Sequence, residues 1–295
     1  MPELPEVETV RRSLAPILTG RLISSVHGET FPDVMGPDGL DRADLLLGRE
    51  IVGLDRRGKY LIVELEDGSA LVVHLRMTGQ LVVAQLDDPP LRFQHLAIGL
   101  VRNRPADDSS SEDADRPDVV ELRFADQRKF GRVLHVPAQD RSSLFAGMGP
   151  EPLARAFTPE ALAAGLAGRR APLKNVLLDQ RRVAGLGNIY VDEALFRAGI
   201  NPLQPAGSLD APAISALRGA IVAVLTESLE RRGTTFSSFL DGYGRQGDNG
   251  DNLRVYGRGR MGLPCVTCGA PLQLIRLGGR SSSFCPMCQP LRWVP

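Results

Sequence analysis

The sequence predicts an α+β protein of more than one domain. It should have an N-terminal helix, an antiparallel β-sandwich or barrel, and a helical part that ends in a cysteine-rich hairpin. Three observations lead to this fold class. Short strand-like segments separated by turn residues fill positions 21–136, helix-periodic segments follow from about 152, and all four cysteines lie between Cys265 and Cys288. A length of 295 residues is enough for two ordinary domains or one large one.

The first half of the chain is predicted to be one helix followed by strands. Residues 5–18 favour a helix, because Pro5 suits a first helical turn and apolar residues recur on one face. Residues 60–65 and 70–75 are expected to form a hairpin around the turn EDGS. Further strands are predicted at 81–85, 95–101, 119–124 and 131–136. Residues 103–118, with six acids and two arginines, are predicted to be a solvated loop.

The second half is predicted to be helical up to the cysteines. Helical periodicity occurs in residues 159–168, 173–181, 188–199 and 214–233. The segments PAQDRSS and GMGPEP near 138–152 have the composition of loops, so the domain boundary is predicted there. The predicted organisation is an N-terminal domain over 1–138, a hinge over 139–151, a helical domain over 152–240, and a cysteine-containing segment over 241–295.

Charge and hydropathy exclude some classes of function. With 35 basic and 35 acidic residues, the chain cannot bind a polyanion by bulk charge alone. The charge is uneven, however: residues 103–118 sum to −4 and residues 241–295 sum to +4, so local basic patches are expected. No uninterrupted apolar run reaches the ~18 residues of a membrane helix. The acidic N-terminus is unlike a secretory signal or transit peptide, and we expect a cytoplasmic protein without membrane association.

The cysteines have the spacing of a metal site. CVTC and CPMC are separated by sixteen residues, as in four-cysteine zinc sites. The intervening LQLIRL and GRSSSF can form a hairpin that brings the two pairs together. Four thiolates leave no open position on the metal, so one structural Zn²⁺ is expected. The alternative from spacing alone is two disulfides. The predicted ligands are Cys265, Cys268, Cys285 and Cys288.

The N-terminus can carry chemistry. Initiator methionine is normally removed before a small residue, which would leave Pro2 with a free secondary amine. An α-amino group titrates near 7.7–8.0, so a useful fraction is unprotonated at neutral pH, as a nucleophile requires. Glu3 and Glu6 could then transfer protons. On spacing alone, the favoured interpretation is that PELPE only starts a helix, with acids at its positive end.

Several motifs occur in a fixed order along the chain. MPELPEVETVRR opens it, and RGKYL (57–61), HLRMTG (74–79) and DQRKFGR (126–132) lie in the strand-rich part. GLGNIYVDEALFRAGINP (185–202) lies in the helical part, and VYGRGRMGLPCVTCG and GRSSSFCPMCQ contain the cysteines. Together these motifs closely resemble the bacterial formamidopyrimidine-DNA glycosylases, the Fpg family, over nearly the whole chain. The resemblance implies an N-terminal helix on a β-sandwich, a hinge, a helix–two-turn–helix domain and a zinc-finger hairpin.

The resemblance also implies a set of catalytic residues. In that family the N-terminal proline attacks C1′ of a damaged nucleotide and displaces the base, and the resulting Schiff base undergoes β- and δ-elimination. Carried over by position, Pro2 is the nucleophile, Glu3 the general acid at the sugar, and Glu6 a supporting carboxylate. Lys59 resembles the lysine assigned as proton donor in the elimination. Arg280 resembles an arginine that contacts phosphate beside the reacting nucleotide.

DNA-binding residues are implied in the same way. A glycosylase must take its target base out of the stack, and Met77, Arg128 and Phe130 match the family's residues that fill the gap. Asn188 would contact phosphate together with the backbone amides of GLGN. The remaining residues with an implied DNA contact are Lys174, His74, Tyr256 and Arg258. Without the resemblance, Met77 and Phe130 would be interpreted as core residues. Lys174 would be interpreted as a solvated charge on a helix, and His74 as a core histidine.

Two positions depart from the family pattern, and three functions remain open. Asn249 stands in a loop that usually carries an aromatic or apolar residue there, and Ser282 replaces a usual threonine. The expected function is excision of oxidised purines, 8-oxoguanine and formamidopyrimidines, from double-stranded DNA, with abasic-site lyase activity, by a monomer. One alternative is an oxidised-pyrimidine glycosylase of the endonuclease VIII type, although Leu4 and the QRKF segment favour purines. The other alternative is a non-catalytic zinc-containing DNA-binding protein.

Overall fold

The structure, a computed structural model, describes residues 1–28, 32–36, 43–102 and 118–292. Its contacts define two compact units. Unit 1 comprises Met1–Pro2, Glu6–Ala146 and Arg232–Asp248, and unit 2 comprises Glu3–Pro5, Gly147–Arg231 and Asn249–Pro295. The segment Arg232–Asp248 therefore packs with the N-terminal part of the chain, although it follows the helical part in sequence. Of the acidic loop predicted at 103–118, all but Asp118 lies outside the described residues.

Unit 1 contains most of helix α1, eight strands in the part of the chain that the structure describes, and the short helix α2. The helices are α1 (Leu4–Leu18) and α2 (Arg141–Leu144). The strands are β1 (Arg21–Gly28), β2 (Ile51–Arg57), β3 (Tyr60–Leu65), β4 (Ala70–His74), β5 (Gly79–Gln85), β6 (Gln94–Arg102), β7 (Val119–Asp126) and β8 (Arg132–Val136). The predicted helix and the six predicted strands are thus present, with small differences at their ends. Neither β1 nor β2 was predicted individually, because polar residues interrupt their alternation.

The strands of unit 1 form two antiparallel sheets. One has the order β1-β6-β7-β5 and the other β2-β3-β4-β8, and the β3–β4 pair is the predicted hairpin. Asp67 fixes its turn by accepting a hydrogen bond from the Ser69 backbone N–H at 3.0 Å. Val7 and Leu14 of α1 share one buried apolar cluster with Val73 of one sheet and Leu122 of the other. The two sheets therefore enclose a common core, and the sandwich prediction is confirmed.

Unit 2 is built from helices and one hairpin. Its elements are α3 (Pro159–Leu166), α4 (Leu173–Leu177), α5 (Asn188–Ala198), α6 (Ala211–Glu230), β9 (Gln273–Leu277) and β10 (Arg280–Phe284). The β9–β10 pair is the hairpin predicted between the two cysteine pairs. Helix α6 starts three residues before the predicted Ile214, because the Asp210 side chain caps it by accepting from the Ala213 N–H at 2.9 Å. Gly199 ends α5 in the left-handed conformation, with φ of 66°.

Helix α6 requires a correction to the hydropathy prediction. Among the described residues, α6 is the one helix that is long enough and apolar enough to cross a bilayer. This judgement rests on length and composition alone, and its mean hydropathy is 1.3. The sequence scan missed it because polar residues interrupt its apolar run. In the structure Leu217, Ile221 and Leu225 lie in the buried apolar cluster of unit 2. This placement is typical of a core helix.

Candidate active site and DNA interface

The N-terminal residues of unit 1 are held in the interior. Pro2 is buried, whereas Met1 before it is 44% exposed. Glu6, on the first turn of α1, is 1% exposed and accepts a hydrogen bond from the Thr234 N–H at 2.8 Å. This bond ties the start of Arg232–Asp248 to α1. The arrangement suits the predicted supporting role of Glu6, which stays a prediction.

Lys59 lies in the tight turn between β2 and β3 and is 7% exposed. The strand before it is anchored to α1, since Arg56 contacts Glu8 at 3.2 Å and donates to the Gly58 carbonyl at 2.9 Å. Burial raises the pKa of Glu8, but hydrogen bonds from its arginine neighbours, first that of Arg11, outweigh this and lower the pKa to about 2. Glu8 is therefore a fixed negative charge that positions the turn carrying Lys59.

His74 ends β4 and is 8% exposed, stacked edge-on against Tyr60 with ring centroids 4.6 Å apart. Its Nδ1 accepts from the Arg76 N–H at 3.0 Å, so the neutral ring carries its proton on Nε2. Burial, and then the charges of Arg76 and Lys59, lower the pKa of His74 to about 3. At neutral pH His74 is thus an uncharged donor. The burial agrees with the core interpretation, and the DNA backbone contact stays a prediction.

Protonation of His74 is expected to reduce stability in acid. The native pKa of about 3 lies below the ordinary 6.5, so between these values the unfolded chain binds more protons and the free energy of unfolding falls as pH falls. Between pH 7 and pH 4.5 the loss should be about 2–3 kcal/mol. His74→Asn keeps an acceptor for Arg76 but cannot titrate, and should escape this loss. Urea unfolding of both proteins at the two pH values measures the difference, and equal losses would contradict the assignment.

Met77, Arg128 and Phe130 lie on two exposed loops of unit 1. Met77 is 41% and Phe130 51% exposed, so the core interpretation of these two residues is wrong. The Arg128 guanidinium stacks on the Phe130 ring at 4.9 Å. The buried carboxylate of Asp126 accepts from the backbone N–H groups of Arg128 at 3.1 Å and Phe130 at 2.8 Å, and from the Thr78 hydroxyl. Both loops therefore present their side chains outward from one rigid anchor.

In unit 2, Glu3 occupies the start of helix α5. One carboxylate oxygen accepts from the Ile189 N–H at 3.0 Å and the other from the Tyr190 N–H at 3.5 Å. A Cβ on Gly187 would come within 2.3 Å of the Glu3 carboxyl carbon, so a larger residue there would displace this carboxylate. The two amides that hold Glu3 belong to Ile189 and Tyr190, which directly follow GLGN, so the phosphate contact expected of the GLGN amides stays a prediction. A carboxylate is well placed at the positive end of a helix.

Asn188, Tyr256, Arg258 and Arg280 all lie in unit 2. The Asn188 side-chain amide donates to the Ser281 carbonyl at 3.0 Å, and Arg280 precedes Ser281 on an exposed position of β10. The pKa of Tyr256 is raised, because the effect of burial exceeds that of a hydrogen bond with Asn188, which lowers the pKa. The Arg258 Nε is buried without a hydrogen-bond partner among the described residues. Their DNA contacts stay predictions, and their grouping in one unit is compatible with them.

Lys174 departs from its predicted role. It is 0% exposed, and its ammonium contacts Asp192 Oδ1 at 2.8 Å and donates to the Ser281 carbonyl at 2.8 Å. A side chain enclosed in this way cannot contact DNA directly, and it is not the solvated charge that was the alternative. The helical pattern of residues 173–181 gave no sign of this burial, which depends on packing against α5 and β10.

The four cysteines converge to the geometry of a metal site. All four Sγ atoms lie within 4.8 Å of one another. Sulfur atoms bound to one tetrahedral Zn²⁺ at 2.3 Å are about 3.8 Å apart. The Cys265–Cys288 and Cys268–Cys285 Sγ distances are 3.8 and 3.5 Å, which fit that tetrahedron and are far too long for disulfide bonds. The donor set therefore fits zinc, and the disulfide alternative is wrong.

Family models match three parts of the chain. The formamidopyrimidine-DNA glycosylase N-terminal domain matches residues 1–133, the formamidopyrimidine-DNA glycosylase H2TH domain matches residues 148–239, and a zinc finger found in FPG and IleRS matches residues 262–291. The chain belongs to the formamidopyrimidine-DNA glycosylase family. The zinc-finger match and the cysteine geometry together identify one structural zinc site.

Relatives and solved structures agree with this membership. The formamidopyrimidine-DNA glycosylases of Moorella thermoacetica and Chloroflexus aurantiacus are 49% and 44% identical, covering 94% and 98% of this chain and 95% and 98% of their own. Three structures of Lactococcus lactis Fpg are 35% identical and cover 98% of the chain. The complex with N7-benzyl-Fapy-dG DNA has a TM-score of 0.85, and 100% of its own chain is covered. The complex with abasic-site DNA has a TM-score of 0.84 with 99% of its chain covered, and the complex with oxidised-pyrimidine DNA has a TM-score of 0.84 with 100% covered.

Sequence reasoning missed several buried carboxylates that hold the segments carrying the predicted site residues. Two had a local signal: Glu8 stands three and four residues before arginines, and Asp126 opens a turn. Glu193 accepts from the backbone N–H groups of Val255 at 2.9 Å and Tyr256 at 2.7 Å, and so positions that segment. Neither Glu193 nor Asp192 could be assigned from the pattern of α5, because their partners are distant in sequence.

Proposed function

We propose that this protein is a base-excision repair glycosylase that removes oxidised purines from double-stranded DNA and cleaves the resulting abasic site. The observation that carries the proposal is family membership over nearly the whole chain, together with the proline–glutamate pair at Pro2 and Glu3. The complexes of the L. lactis relative with N7-benzyl-Fapy-dG DNA and abasic-site DNA support the same substrate class.

The proposed chemistry starts at the nitrogen of Pro2. After removal of Met1, the lone pair of this nitrogen attacks C1′, and the C1′–base bond breaks with its electron pair going to the base. The departing base takes up the proton that the proline nitrogen loses, which frees the nitrogen lone pair for the next step. Glu3, held at the start of α5, protonates the sugar oxygen as the ring opens to a cationic iminium. The iminium withdraws electrons, so loss of a C2′ proton expels the 3′ phosphate, and a second elimination expels the 5′ phosphate. Lys59 donates the proton needed in the elimination.

The proposed DNA grip uses both units. Phe130 wedges between bases, Arg128 donates to the orphaned base and Met77 fills the gap, as their exposure on a braced anchor allows. Phosphates are held by Asn188 and Arg280. Further backbone contacts are assigned to His74, Tyr256 and Arg258. Lys174 is no longer among the direct contacts.

Borohydride trapping tests the enzyme and its substrate class. An 8-oxoguanine duplex and a thymine-glycol duplex are each incubated with the protein and borohydride, which reduces the iminium to a stable covalent complex. We expect faster trapping on 8-oxoguanine. Faster trapping on thymine glycol would favour the oxidised-pyrimidine alternative, which deserves the comparison because the relative also binds such DNA. Absence of trapping on both would favour the non-catalytic DNA-binding alternative.

Lys59→Arg is expected to separate binding from elimination. A guanidinium keeps the positive charge but does not give up a proton at usable pH. Cleavage of a preformed abasic site should therefore fall on the order of 10²–10³-fold, while DNA affinity changes little. The assay is single-turnover cleavage with a saturating excess of enzyme. Lys129→Arg, the same change at an exposed lysine, is the control. Full cleavage by the Lys59 variant would remove Lys59 from the mechanism.

We also propose the assembly and the domain division. The protein acts as a monomer in the cytoplasm, associated with the nucleoid when it binds DNA. Its functional parts are a catalytic domain (1–138), a hinge (139–151), a helix–two-turn–helix domain (152–240) and a zinc-finger segment (241–295). Gel filtration with light scattering tests the monomer, and limited proteolysis tests the hinge.

A further inference from the structure

An internal ion pair in unit 2 has no part in the chemistry proposed above. Lys174 of α4 and Asp192 of α5 are 0% and 2% exposed, with Nζ and Oδ1 2.8 Å apart. Replacing such a pair by apolar residues often leaves a protein equally stable or more so. Stability alone therefore does not explain why two charges are placed there, and the groups that they contact give a better reason.

The pair holds three consecutive residues of β10. The Ser281 carbonyl accepts from Lys174 Nζ at 2.8 Å, the Ser282 hydroxyl donates to Asp192 Oδ1 at 2.8 Å, and the Ser283 N–H donates to Asp192 Oδ2 at 3.1 Å. Backbone and side chain of this strand are thus fixed to α4 and α5 by charged groups, which form stronger hydrogen bonds than neutral ones.

The fixed residues lie directly beside two proposed phosphate contacts. Arg280 immediately precedes Ser281 and follows a two-glycine turn, Gly278–Gly279, in which both φ angles are positive. Asn188 donates to the same Ser281 carbonyl as Lys174, at 3.0 Å, and stands four residues before Asp192 on one face of α5. The two-glycine turn precedes Arg280 and the held strand follows it, so the position of Arg280 depends on the strand that the pair holds.

We propose that Lys174 and Asp192 are positioning residues that hold β10 in register with α5, so that Arg280 and Asn188 present their side chains to DNA phosphate together. The proposal rests on the proposed function, because it takes phosphate binding by Arg280 from it. Lys174 acts on DNA through Arg280, without touching DNA itself. Asp192 supplies the charge that allows an ammonium group to be buried at this point.

The salt dependence of DNA binding distinguishes positioning from direct contact. Affinity for a duplex with a tetrahydrofuran abasic analogue is measured from 50 to 400 mM KCl, and each lost phosphate contact lowers the slope of log K against log salt by about one. The proteins are the wild type, Lys174→Met, Arg280→Ala and the double variant of the two. We expect each single variant to lose about one in slope, and the double variant to lose no more than Arg280→Ala alone.

Other results would overturn the proposal. Additive losses in the double variant mean that Lys174 contacts phosphate directly, and an unchanged slope in Lys174→Met means that the pair has only a structural role. An unchanged slope in Arg280→Ala would instead refute the phosphate contact on which the proposed function relies, and the inference with it.

Two further variants separate positioning from folding. Lys174→Met with Asp192→Asn leaves no buried charge, so it should recover the thermal stability and zinc content that a single variant loses, yet keep the reduced slope. Recovery of the slope together with stability would show a structural role and overturn the proposal. Arg197→Met with Glu227→Gln removes another ion pair of α5, with atoms 2.6 Å apart, and should leave the slope unchanged.

Discussion

Blocking the nitrogen of Pro2 is expected to abolish covalent trapping and to reduce base excision on the order of 10³-fold or more. In an amide, the proline nitrogen shares its lone pair with the carbonyl group and is no longer a nucleophile. A glutamate inserted between Met1 and Pro2 prevents methionine removal and creates this amide. The measurements are borohydride trapping and single-turnover excision on an 8-oxoguanine duplex.

DNA affinity provides the control for this variant. Met1 is 44% exposed, so a preceding residue can be accommodated there, and binding to an abasic analogue should remain within a few-fold of the wild type. Pro2→Gly keeps a free amine but lacks the secondary amine whose product is permanently cationic, and we expect it to lose trapping as well. If the blocked protein still forms the trapped complex, another amine is the nucleophile. Lys59 would then be the first residue to test.

The parts of the site that could be predicted from sequence are those in which local spacing carries the chemistry. The two cysteine pairs and the strands between them were predicted from spacing alone, because a hairpin must bring its ends together. The exposure of Phe130 could not be obtained in this way, since a lone phenylalanine is more often a core residue. Motif resemblance indicated its exposed position, and the Asp126 carboxylate that braces its loop provides the physical reason.

The parts that could not be predicted depend on contacts between distant segments. Glu3 accepts a hydrogen bond from the Ile189 N–H, 186 positions away, and no local pattern at either residue indicates this contact. Lys174 was predicted to contact DNA, and its buried environment was not foreseen. Its burial depends on the packing of α4 against α5 and β10, which cannot be predicted from the helical periodicity of residues 173–181.

Loss of the zinc site should reduce DNA affinity at least on the order of 10²-fold while leaving the chemistry of unit 1 intact. A structural zinc contributes about 10–16 kcal/mol of binding free energy to a small finger, so without the metal the hairpin has too little core to fold. The hairpin carries Arg280, and its three serines bond to the Lys174–Asp192 pair. Cys268→Ser should therefore lose zinc, affinity and part of the salt dependence together.

The measurements are zinc content, DNA affinity and the trapping rate at saturating protein. Val266→Ala changes an exposed residue between two ligands, and this control should keep one zinc per chain and normal affinity. Pro2 and Lys59 lie in unit 1, outside the finger, so trapping at saturation should persist in Cys268→Ser, although much more protein is needed to reach it. If zinc is lost and affinity is retained, the finger does not bind DNA. If saturating trapping is lost as well, the finger also positions Glu3 through the Asn188 end of α5, where Ser281 and Glu3 bond to neighbouring residues.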